Sequence, residues 1–279
     1  MNYHIFISTV RMEDNYSHDS CAIVYVTESI PGPAETNAES IELINNFNSQ
    51  LSDHCNCISI CDPQKCQCLL KCSGFTYGNG RLMNLDEISN QSFPLYECNN
   101  HCNCSYDCKN RIVQKGPMNG LYVKNCSEFK GLGLYTSVFI PKGMFICEYA
   151  GEIITQSQAV SRYKRNEVEK KMNYIFCLQE FSNGSVTKTF VDPSYMGNIG
   201  RYINHSCDPN CLIFPVRVNI PIPKLAIFSC QDIVPHTEIT FNYGTGGAQS
   251  SWKVNSLKKC FCRSENCTGW LPFDTSNQC

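Results

Sequence analysis

The chain has 279 residues, 42% of them hydrophobic, and a formal net charge of −2 at pH 7. This length suits one large domain or two small ones with a real apolar core. No run of about 18 apolar residues predicts a membrane span, and the first residues do not resemble a signal peptide. The near-neutral charge argues against strong intrinsic binding to nucleic acid, which needs clustered Lys and Arg, but it permits a basic peptide as partner.

The N-terminal segment, residues 1–50, contains no motif that indicates a chemistry, and its stretch "AESIELINNFNSQL" predicts a short helix. After it the composition changes, because cysteine becomes frequent. The chain contains 21 cysteines in all. Without a secretory signal, metal ligation explains so many thiols better than a disulfide framework does.

Two blocks of closely spaced cysteines occupy residues 55–68 and 98–108. Many neighbours are separated by one residue, not by the two of an ordinary zinc knuckle, and thiolates that close suit a polynuclear cluster. Three tetrahedral zinc ions need twelve thiolate contacts, which nine cysteines supply when three of them bridge two ions each. The spacing therefore favours a three-zinc cluster over a mixture of single zinc sites and free thiols. The predicted ligands are Cys55, Cys57, Cys61, Cys66, Cys68, Cys98, Cys102, Cys104 and Cys108. Cys72, just beyond the first block, is predicted to be an ordinary buried thiol.

From about Leu121 the chain is predicted to form short strands. "FICEYAGEII" has the apolar character of a strand, "YIFCLQEF" and "VTKTFVD" form a predicted hairpin about "SNGS", and "CLIFPVRV", "KLAIFSC" and "EITFNY" follow as further strands. Between them, "TQSQAVSRYKRNEVEKK" predicts a helix, with Thr155 and Gln158 as a capping box. One helix among many short strands predicts a mainly β (α+β) fold and not a βαβ nucleotide-binding fold.

The C-terminal stretch "CFCRSENC" supplies three more cysteines, which is one ligand short of a tetrahedral zinc site. A ligand from elsewhere in the chain must complete such a site. A structural zinc contributes folding free energy, so this tail is expected to be ordered only when the fourth ligand is in place. The candidates for that ligand are Cys207, Cys211, Cys230, Cys279 or a histidine.

The order of these motifs carries a family resemblance. Nine clustered cysteines, "GLGLYT", "CEYAGEI", "NHSCDPN", "FNY" and a C-x-C-x4-C tail follow one another from about Cys55 to Phe273. This combination resembles the SET-domain protein lysine methyltransferases of the Suv39 and G9a type. The resemblance implies a SET fold with a knotted C-terminal active site, flanked by a pre-SET three-zinc cluster and a post-SET zinc site. It places the pre-SET module at residues 51–116, the catalytic domain at 119–243 and the post-SET module at 256–272.

The resemblance also implies roles for single residues, with S-adenosylmethionine as methyl donor. The post-SET zinc would be held by Cys207 together with Cys260, Cys262 and Cys267. The implied donor-binding residues are Lys130, Gly131, Leu132, Gly133, Tyr174, Arg201, Asn204 and His205. Tyr243 matches the catalytic tyrosine and Tyr149 a second tyrosine beside the lysine channel. The alternatives are an ordinary turn for the glycines and aromatic packing in a β core for the tyrosines.

A family of this kind implies a nuclear enzyme on chromosomes that regulates chromatin by methylating a lysine of the histone H3 tail or the nucleosome. Phe241, two residues before the catalytic tyrosine, lacks the hydroxyl that would hold a water in the channel, which predicts activity beyond monomethylation. The segment "GTGGAQSSWKVNSLKK" before the tail predicts a hinge that orders when ligands bind. The alternatives are a lysine methyltransferase for other proteins and a catalytically silent, zinc-stapled scaffold or peptide reader.

Overall fold

The protein is described by a computed structural model, which covers residues 22–72, 77–85, 94–182, 184–244 and 258–272. The α-helices of these residues are Ala38–Asn48 (α1), Gln67–Leu70 (α2) and Gln156–Val168 (α3). Helix α3 begins at the predicted capping box, because the Thr155 hydroxyl accepts from the Gln158 amide and the Gln158 side chain accepts from the Thr155 amide. It ends three residues earlier than the sequence pattern indicates, where Lys170 adopts φ 53°. The predicted helices at α1 and α3 are confirmed.

Most of the strands are short, as predicted, but the strand Ser185–Gly197 has 13 residues. The first hundred residues contain β1 (Val24–Tyr25), β2 (Ile30–Pro31), β3 (Tyr77–Gly78), β4 (Arg81–Leu82) and β5 (Leu95–Tyr96). The following strands are β6 (Leu121–Ser127), β7 (Gly131–Thr136), β8 (Phe145–Glu148), β9 (Gly151–Ile154), β10 (Phe176–Ser182) and β11 (Ser185–Gly197). The last four are β12 (Asn204–His205), β13 (Cys211–Arg217), β14 (Lys224–Ser229) and β15 (Thr240–Phe241).

Two larger sheets form the body of the fold. One has the order β1-β11-β9-β2, with β10 paired to β11 in the predicted hairpin, and the other has the order β5-β13-β14-β8. Three two-stranded sheets join β3 to β4, β6 to β7 and β12 to β15. Because β12 pairs with β15 in parallel, Asn204 lies opposite Thr240 and His205 opposite Phe241. This pairing brings the two late motifs, "NHS" and "FNY", to one place.

The stretch "FICEYAGEII" does not form one strand, which corrects the interpretation from sequence. It divides into β8, which pairs with β14, and β9, which pairs with β11 in the other sheet. Tyr149 and Ala150 make the crossing. Gly151 then passes so close to β11 that a Cβ would lie 2.6 Å from the Pro193 nitrogen. An apolar run cannot show which sheet each half joins, because both halves are buried. Because the chain passes from one sheet to the other at Tyr149, the side chain of this residue reaches the site described below.

The apolar core lies between the two sheets. Its largest cluster includes Ile146, Ile153, Leu225 and Ile227, all at most 2% exposed. The nine clustered cysteines form a separate buried group with Leu69. Cys72 is buried beside this group, and its thiol donates to the carbonyls of Cys68 and Tyr96, so its prediction as a buried thiol is confirmed. No helix among the described residues is long and apolar enough to cross a membrane.

Candidate active site

Four aromatic rings meet where β8, β10 and β15 end or begin. Phe241 is 2% exposed and lies at the centre. Its ring centroid is 4.9 Å from that of Tyr243, 5.9 Å from that of Tyr149 and 5.8 Å from that of Phe176. The pairs with Tyr149 and Phe176 are edge-to-face, which is a favoured aromatic geometry. We call this group the aromatic box; its walls are apolar and its two hydroxyls are the polar groups that it contributes.

Both hydroxyls of the aromatic box donate to main-chain carbonyls. Tyr243 Oη donates to Ile203 O at 2.8 Å, and Tyr149 Oη donates to Tyr174 O at 2.6 Å. Burial raises the pKa of both phenols well above their usual range. Each hydroxyl therefore stays protonated at neutral pH, and its oxygen lone pairs remain able to accept a hydrogen bond.

The KGLG stretch, residues 130–133, lies against Asn204. The Asn204 side-chain amide donates to Leu132 O at 3.1 Å and to Glu238 Oε1 at 2.9 Å. Lys130 Nζ donates to both carboxylate oxygens of the same Glu238 at 2.5 and 2.7 Å. Glu238 thus ties the KGLG stretch to strand β12. It was not identified from the sequence, where nothing distinguishes it from any other acid near a strand.

The two glycines of the KGLG stretch are required for different structural reasons. Gly131 adopts φ 69°, a conformation that favours glycine, and has open space where a side chain would be. Gly133 is instead packed, since a Cβ there would lie 2.2 Å from Cys126 Sγ and 2.9 Å from Asn204 Nδ2. The first glycine leaves room for a ligand, whereas the second allows the close approach of β7 to β12.

Gly133→Ala is therefore expected to displace the Asn204 amide and to destabilise the fold by about 1–3 kcal/mol, the usual cost of overpacking. The measurement is thermal unfolding together with calorimetric binding of S-adenosylmethionine. Val168→Ala is the control, because that side chain is 84% exposed at the end of α3, outside the KGLG stretch. Unchanged unfolding and binding in Gly133→Ala would show that the packing at this glycine does not matter.

Arg201 and Tyr174 form a second wall of the site. The Arg201 guanidinium lies 4.7 Å from the ring centroid of Tyr174 and 4.9 Å from that of Tyr202, and its Nε donates to Pro193 O at 3.1 Å. The cation is therefore held between two aromatic faces, an arrangement that stabilises both the charge and the rings. The consequence is a fixed position for Tyr174, whose carbonyl receives the Tyr149 hydroxyl.

His205 connects the aromatic box to the C-terminal cysteines. Its Nδ1 accepts from the Tyr243 amide at 3.2 Å, which leaves Nε2 as the protonated nitrogen, 3.4 Å from Cys207 Sγ. Burial, and secondly the charge of Lys130, lowers the pKa of His205 to about 4. The imidazole is neutral at physiological pH, with both nitrogens engaged, so it serves as a connecting group and not as a general base.

The nine cysteines of the two N-terminal blocks come together as one buried group. Within it, Cys55, Cys61 and Cys98 have Sγ atoms 3.6 to 3.9 Å apart. Three overlapping sets of four thiols lie within 4.8 Å of one another, and Cys55 belongs to all three. Cys61, Cys66 and Cys98 each belong to two sets, as thiolates that bridge two ions would, whereas Cys102 and Cys108 belong to none. The donors are the soft sulfur ligands that zinc accepts. The sets are Cys55, Cys66, Cys68 and Cys98; Cys55, Cys57, Cys61 and Cys66; and Cys55, Cys61, Cys98 and Cys104.

A second group of four thiols lies beside His205. Cys207, from the "NHSC" turn, comes within 4.8 Å of Cys260, Cys262 and Cys267, and its Sγ is 3.9 Å from that of Cys260. Of the candidates for a fourth ligand at the tail, the structure brings Cys207 to the three tail cysteines. Cys211 and Cys230 belong to no four-thiol group of the described residues, and Cys279 lies outside those residues.

Contacts other than sulfur also hold residues 258–272 on the catalytic body. Phe261 stacks on Phe129, with ring centroids 5.2 Å apart and an interplanar angle of 18°. Lys258 Nζ donates to Lys171 O at 3.0 Å, three residues before Tyr174 in the chain. The module therefore touches both the KGLG side and the Tyr174 side of the site. The predicted hinge before it lies outside the described residues, apart from Gly244 at its start and Lys258 and Lys259 at its end.

Phe129→Ala removes the stacked partner of Phe261 and is expected to weaken binding of S-adenosylmethionine by roughly fivefold, since an aromatic pair contributes about 1 kcal/mol. Zinc content should not change, because no thiol is altered. Calorimetric titration is the measurement, and Phe139→Ala, at another exposed phenylalanine, is the control. If Phe129→Ala and Phe139→Ala bind S-adenosylmethionine with equal affinity, the Phe129–Phe261 stack does not contribute to donor binding.

One wall of the aromatic box was missed in the sequence. Phe176 lies two residues after Tyr174, and its ring centroid is 6.1 Å from that of Tyr149. Alternation along "YIFCLQEF" does contain a signal, because residues two apart in an extended strand point to the same side. This alternation identifies Phe176 as part of the site only when Tyr149 is known to lie beside Phe176.

The β architecture, the aromatic box and the flanking thiol groups define the class as a SET domain with cysteine-rich modules on both sides. The family model of the SET domain matches residues 131–244, and that of the Pre-SET motif matches residues 3–111. Histone-lysine N-methyltransferase SETMAR of Rattus norvegicus is 41% identical over 232 residues, which cover 80% of this chain and 73% of the relative. The human protein is 40% identical over 237 residues, 81% of this chain and 34% of the relative, so the chain spans about a third of that relative's length. The chain belongs to the family of SET-domain histone-lysine N-methyltransferases.

Solved structures agree with this family. The methyltransferase domain of human SETMAR matches with a TM-score of 0.75 and 34% identity, covering 93% of this chain and 92% of the other. KRYPTONITE, in a complex with DNA, an H3(1-15) peptide and SAH, matches with a TM-score of 0.68 and 25% identity, covering 94% of this chain and 50% of the other. The predicted SET-type, mainly β fold with cysteine-rich flanking modules is confirmed.

Proposed function

We propose that this chain transfers methyl groups from S-adenosylmethionine to a lysine side chain of the histone H3 tail. The observation that carries the proposal is the position of the Tyr243 and Tyr149 hydroxyls in an aromatic box that directly adjoins Asn204 and His205. The SAH and H3 peptide in the KRYPTONITE complex support the donor and the substrate. The donor supplies an electrophilic methyl group that is bonded to a positively charged sulfur.

The aromatic box would make the lysine amine reactive. The amine attacks only when neutral, and a free lysine has a pKa of about 10.4. The apolar walls formed by Phe241 and Phe176 disfavour the ammonium by desolvation, which lowers the pKa of an inserted lysine. Both tyrosine hydroxyls already donate to carbonyls, so their oxygens accept N–H bonds from the amine and aim its lone pair. Alignment of this kind supplies much of the rate enhancement.

Donor binding is assigned to the KGLG stretch on one side and to Tyr174 and Arg201 on the other. Gly131 leaves space for close backbone approach. Asn204 and Glu238 hold the stretch in place, while Arg201 fixes the Tyr174 ring. The roles proposed for these residues are therefore binding and orientation, and none of them needs to transfer a proton.

An extended peptide could reach the aromatic box along β10. This strand pairs with β11 on one side, and no other described strand pairs with it. Phe176, its first residue, forms part of the box. An edge strand accepts an added strand from an extended peptide, and the backbone hydrogen bonds then set the register of the side chains. A histone tail lying there would present a lysine to the box from the side.

The cysteine groups are proposed to hold four structural zinc ions, three in the cluster and one at the tail. The support is that three sets of four thiols lie within 4.8 Å of one another in the cluster and a fourth set lies at the tail, although Cys102 and Cys108 belong to none of them. Because every donor is sulfur, these sites keep no open position for a substrate. Zinc at Cys207, Cys260, Cys262 and Cys267 would fasten the tail module to the turn that carries His205.

The module boundaries proposed for the chain are 51–116, 119–243 and 256–272, after the N-terminal segment 1–50. Activity on histone tails implies work on chromosomes in the nucleus, where H3 tails occur as part of nucleosomes. Phe241 favours more than one methyl group per lysine, because its ring contributes no hydroxyl to the box. The absence of strong nucleic-acid binding remains a prediction from the overall charge of −2.

Transfer of labelled methyl groups tests the proposal. The purified chain is incubated with labelled S-adenosylmethionine and with H3 tail peptides in which single lysines are replaced by arginine, and with intact nucleosomes. Label on H3 that disappears when one lysine is replaced is the expected result. A parallel incubation with a nuclear protein extract covers the alternatives. Label on non-histone proteins of the extract but on no histone would favour a lysine methyltransferase for other proteins, and no label on any substrate would favour the silent scaffold.

A further inference from the structure

Arg111 is a buried cation at the edge of the cysteine cluster. The residue is 4% exposed. Its Nη1 donates to Cys98 O at 2.9 Å and to Gln114 Oε1 at 3.0 Å, and its Nη2 donates to Asn99 O at 2.8 Å. Nη2 also donates to Cys104 Sγ at 3.6 Å, while the buried Nε has no partner among the described residues.

The Arg111 guanidinium has no carboxylate partner in the described part of the chain, where the ion pairs involve other cations. Glu97 is buried nearby, but its oxygens accept from the amides of Ile112 and Val113 and from Gln114. An unpaired buried cation costs several kcal/mol, so an anion must compensate it. The Cys104 sulfur is the group in contact that can carry that charge.

The proposed zinc cluster provides the anion. Three Zn²⁺ ions and nine thiolates sum to a net charge of −3, which a buried site cannot leave uncompensated. Arg111 contacts the sulfur of Cys104 and the carbonyl of Cys98. Both cysteines belong to one four-thiol set, Cys55, Cys61, Cys98 and Cys104. The cation therefore lies against one particular zinc position.

We propose that Arg111 is the internal counter-ion of the thiolate cluster and retains the zinc ion held by Cys55, Cys61, Cys98 and Cys104. This rests on the proposed zinc cluster. Arg111 acts as a positioning residue in two ways: its charge offsets that of the thiolates, and its planar fork fixes the main chain at Cys98 and Asn99. A lysine would supply the charge without the fork.

The same side chain connects the cluster to the catalytic body. Gln114, which accepts from Arg111, lies in the 3₁₀ turn Val113–Lys115. Val113 in that turn is 2% exposed and packs in the core cluster that contains Phe145 and Phe228. Loss of the Arg111 contacts should therefore reduce the stability of the sheet that contains β8.

Zinc release tests this proposal without any assay of activity. The zinc-loaded full chain is mixed with a chromophoric chelator, and the time course of release is compared for wild type, Arg111→Gln and Arg111→Lys. Arg217→Gln is the control, because that arginine is paired with Glu180 and not with sulfur. We expect Arg111→Gln to release about one zinc ion per chain roughly tenfold faster than wild type, as is typical when a partner of a metal ligand is lost. Arg111→Lys should fall between the two.

The outcomes are separable. Identical release from Arg111→Gln and wild type overturns the proposal. If Arg111→Gln is insoluble, Arg111→Lys decides, since release several times faster than wild type supports the proposal and a wild-type rate overturns it. A wild-type chain that binds about one zinc ion would instead contradict the cluster itself, whatever the variants do.

Discussion

Replacing Tyr243 with phenylalanine is expected to lower kcat for methyl transfer by about a hundredfold or more, the usual effect of removing a positioned hydrogen-bonding group from a reaction centre. The variant keeps the ring, which lies 4.9 Å from Phe241 and 5.3 Å from His205 by centroid. It loses the hydroxyl that donates to Ile203 O. The amine would still enter the aromatic box, but nothing on that side would aim its lone pair.

Two measurements separate this chemical effect from a loss of fold. Affinity for S-adenosylmethionine should change little in Tyr243→Phe, and the free energy of unfolding should fall by only about 1–3 kcal/mol, because the Ile203 carbonyl loses its donor. The control is Tyr122→Phe, at a tyrosine whose hydroxyl contacts His236 on the exposed surface. A kcat for Tyr243→Phe within twofold of wild type would exclude the proposed role of this hydroxyl.

The Tyr243 hydroxyl also predicts a pH dependence. Because burial raises the pKa of Tyr243 well above its usual range, the phenol does not ionise between pH 6 and pH 9. The rate of the chemical step should rise with pH over this range as more of the substrate lysine becomes neutral. Measured from pH 6 to pH 9, the rate of methyl transfer should show no decrease at high pH that ionisation of Tyr243 would cause.

Replacing Cys207 with serine is expected to remove about one zinc ion per chain and to lower activity at least tenfold. Three thiols remain at the tail, which is one short of a closed tetrahedral site. Zinc at such sites contributes folding free energy, so residues 258–272 should lose their fixed position. The Phe129–Phe261 stack and the Lys258 contact, both made by this module, would weaken with it.

Metal analysis by mass spectrometry and limited proteolysis measure the two parts of the Cys207→Ser prediction. Cys230→Ser is the matched control, since that thiol is half-buried, donates to Pro209 O and belongs to no four-thiol group of the described residues. Loss of zinc should accompany faster cleavage after residue 244. If Cys207→Ser keeps the zinc content of wild type, the assignment of Cys207 as the fourth ligand is wrong.

Local patterns predicted the parts of the fold that depend on neighbours in sequence. The capping box of α3 follows from Thr155 and Gln158, and the β10–β11 hairpin follows from the turn between two alternating stretches. Cysteine spacing also predicted one cluster, because ligands close in sequence have few other ways to be satisfied. The resemblance to SET domains then placed Cys207 with the three tail cysteines, an assignment that spacing alone left open.

The remaining features depend on contacts between distant strands. The break of "FICEYAGEII" at Tyr149 arises because β8 and β9 find partners in different sheets. Glu238 lies at the KGLG stretch because its own segment, far along the chain, pairs with β7, where it lies opposite Tyr135. Arg111 is likewise an ordinary basic residue in the sequence. Its proposed role as a counter-ion follows from its burial beside Cys104 and from the lack of a carboxylate partner among the described residues.

Mass spectrometry of an H3 tail peptide tests the central claim most directly. The peptide is incubated with S-adenosylmethionine and the wild-type chain, and in parallel with Tyr243→Phe. The account predicts that one lysine gains the mass of one or more methyl groups with the wild-type chain and gains little or none with the variant. An unmodified peptide with the wild-type chain, under conditions in which it binds S-adenosylmethionine and carries its zinc, would contradict the assignment to the H3 tail.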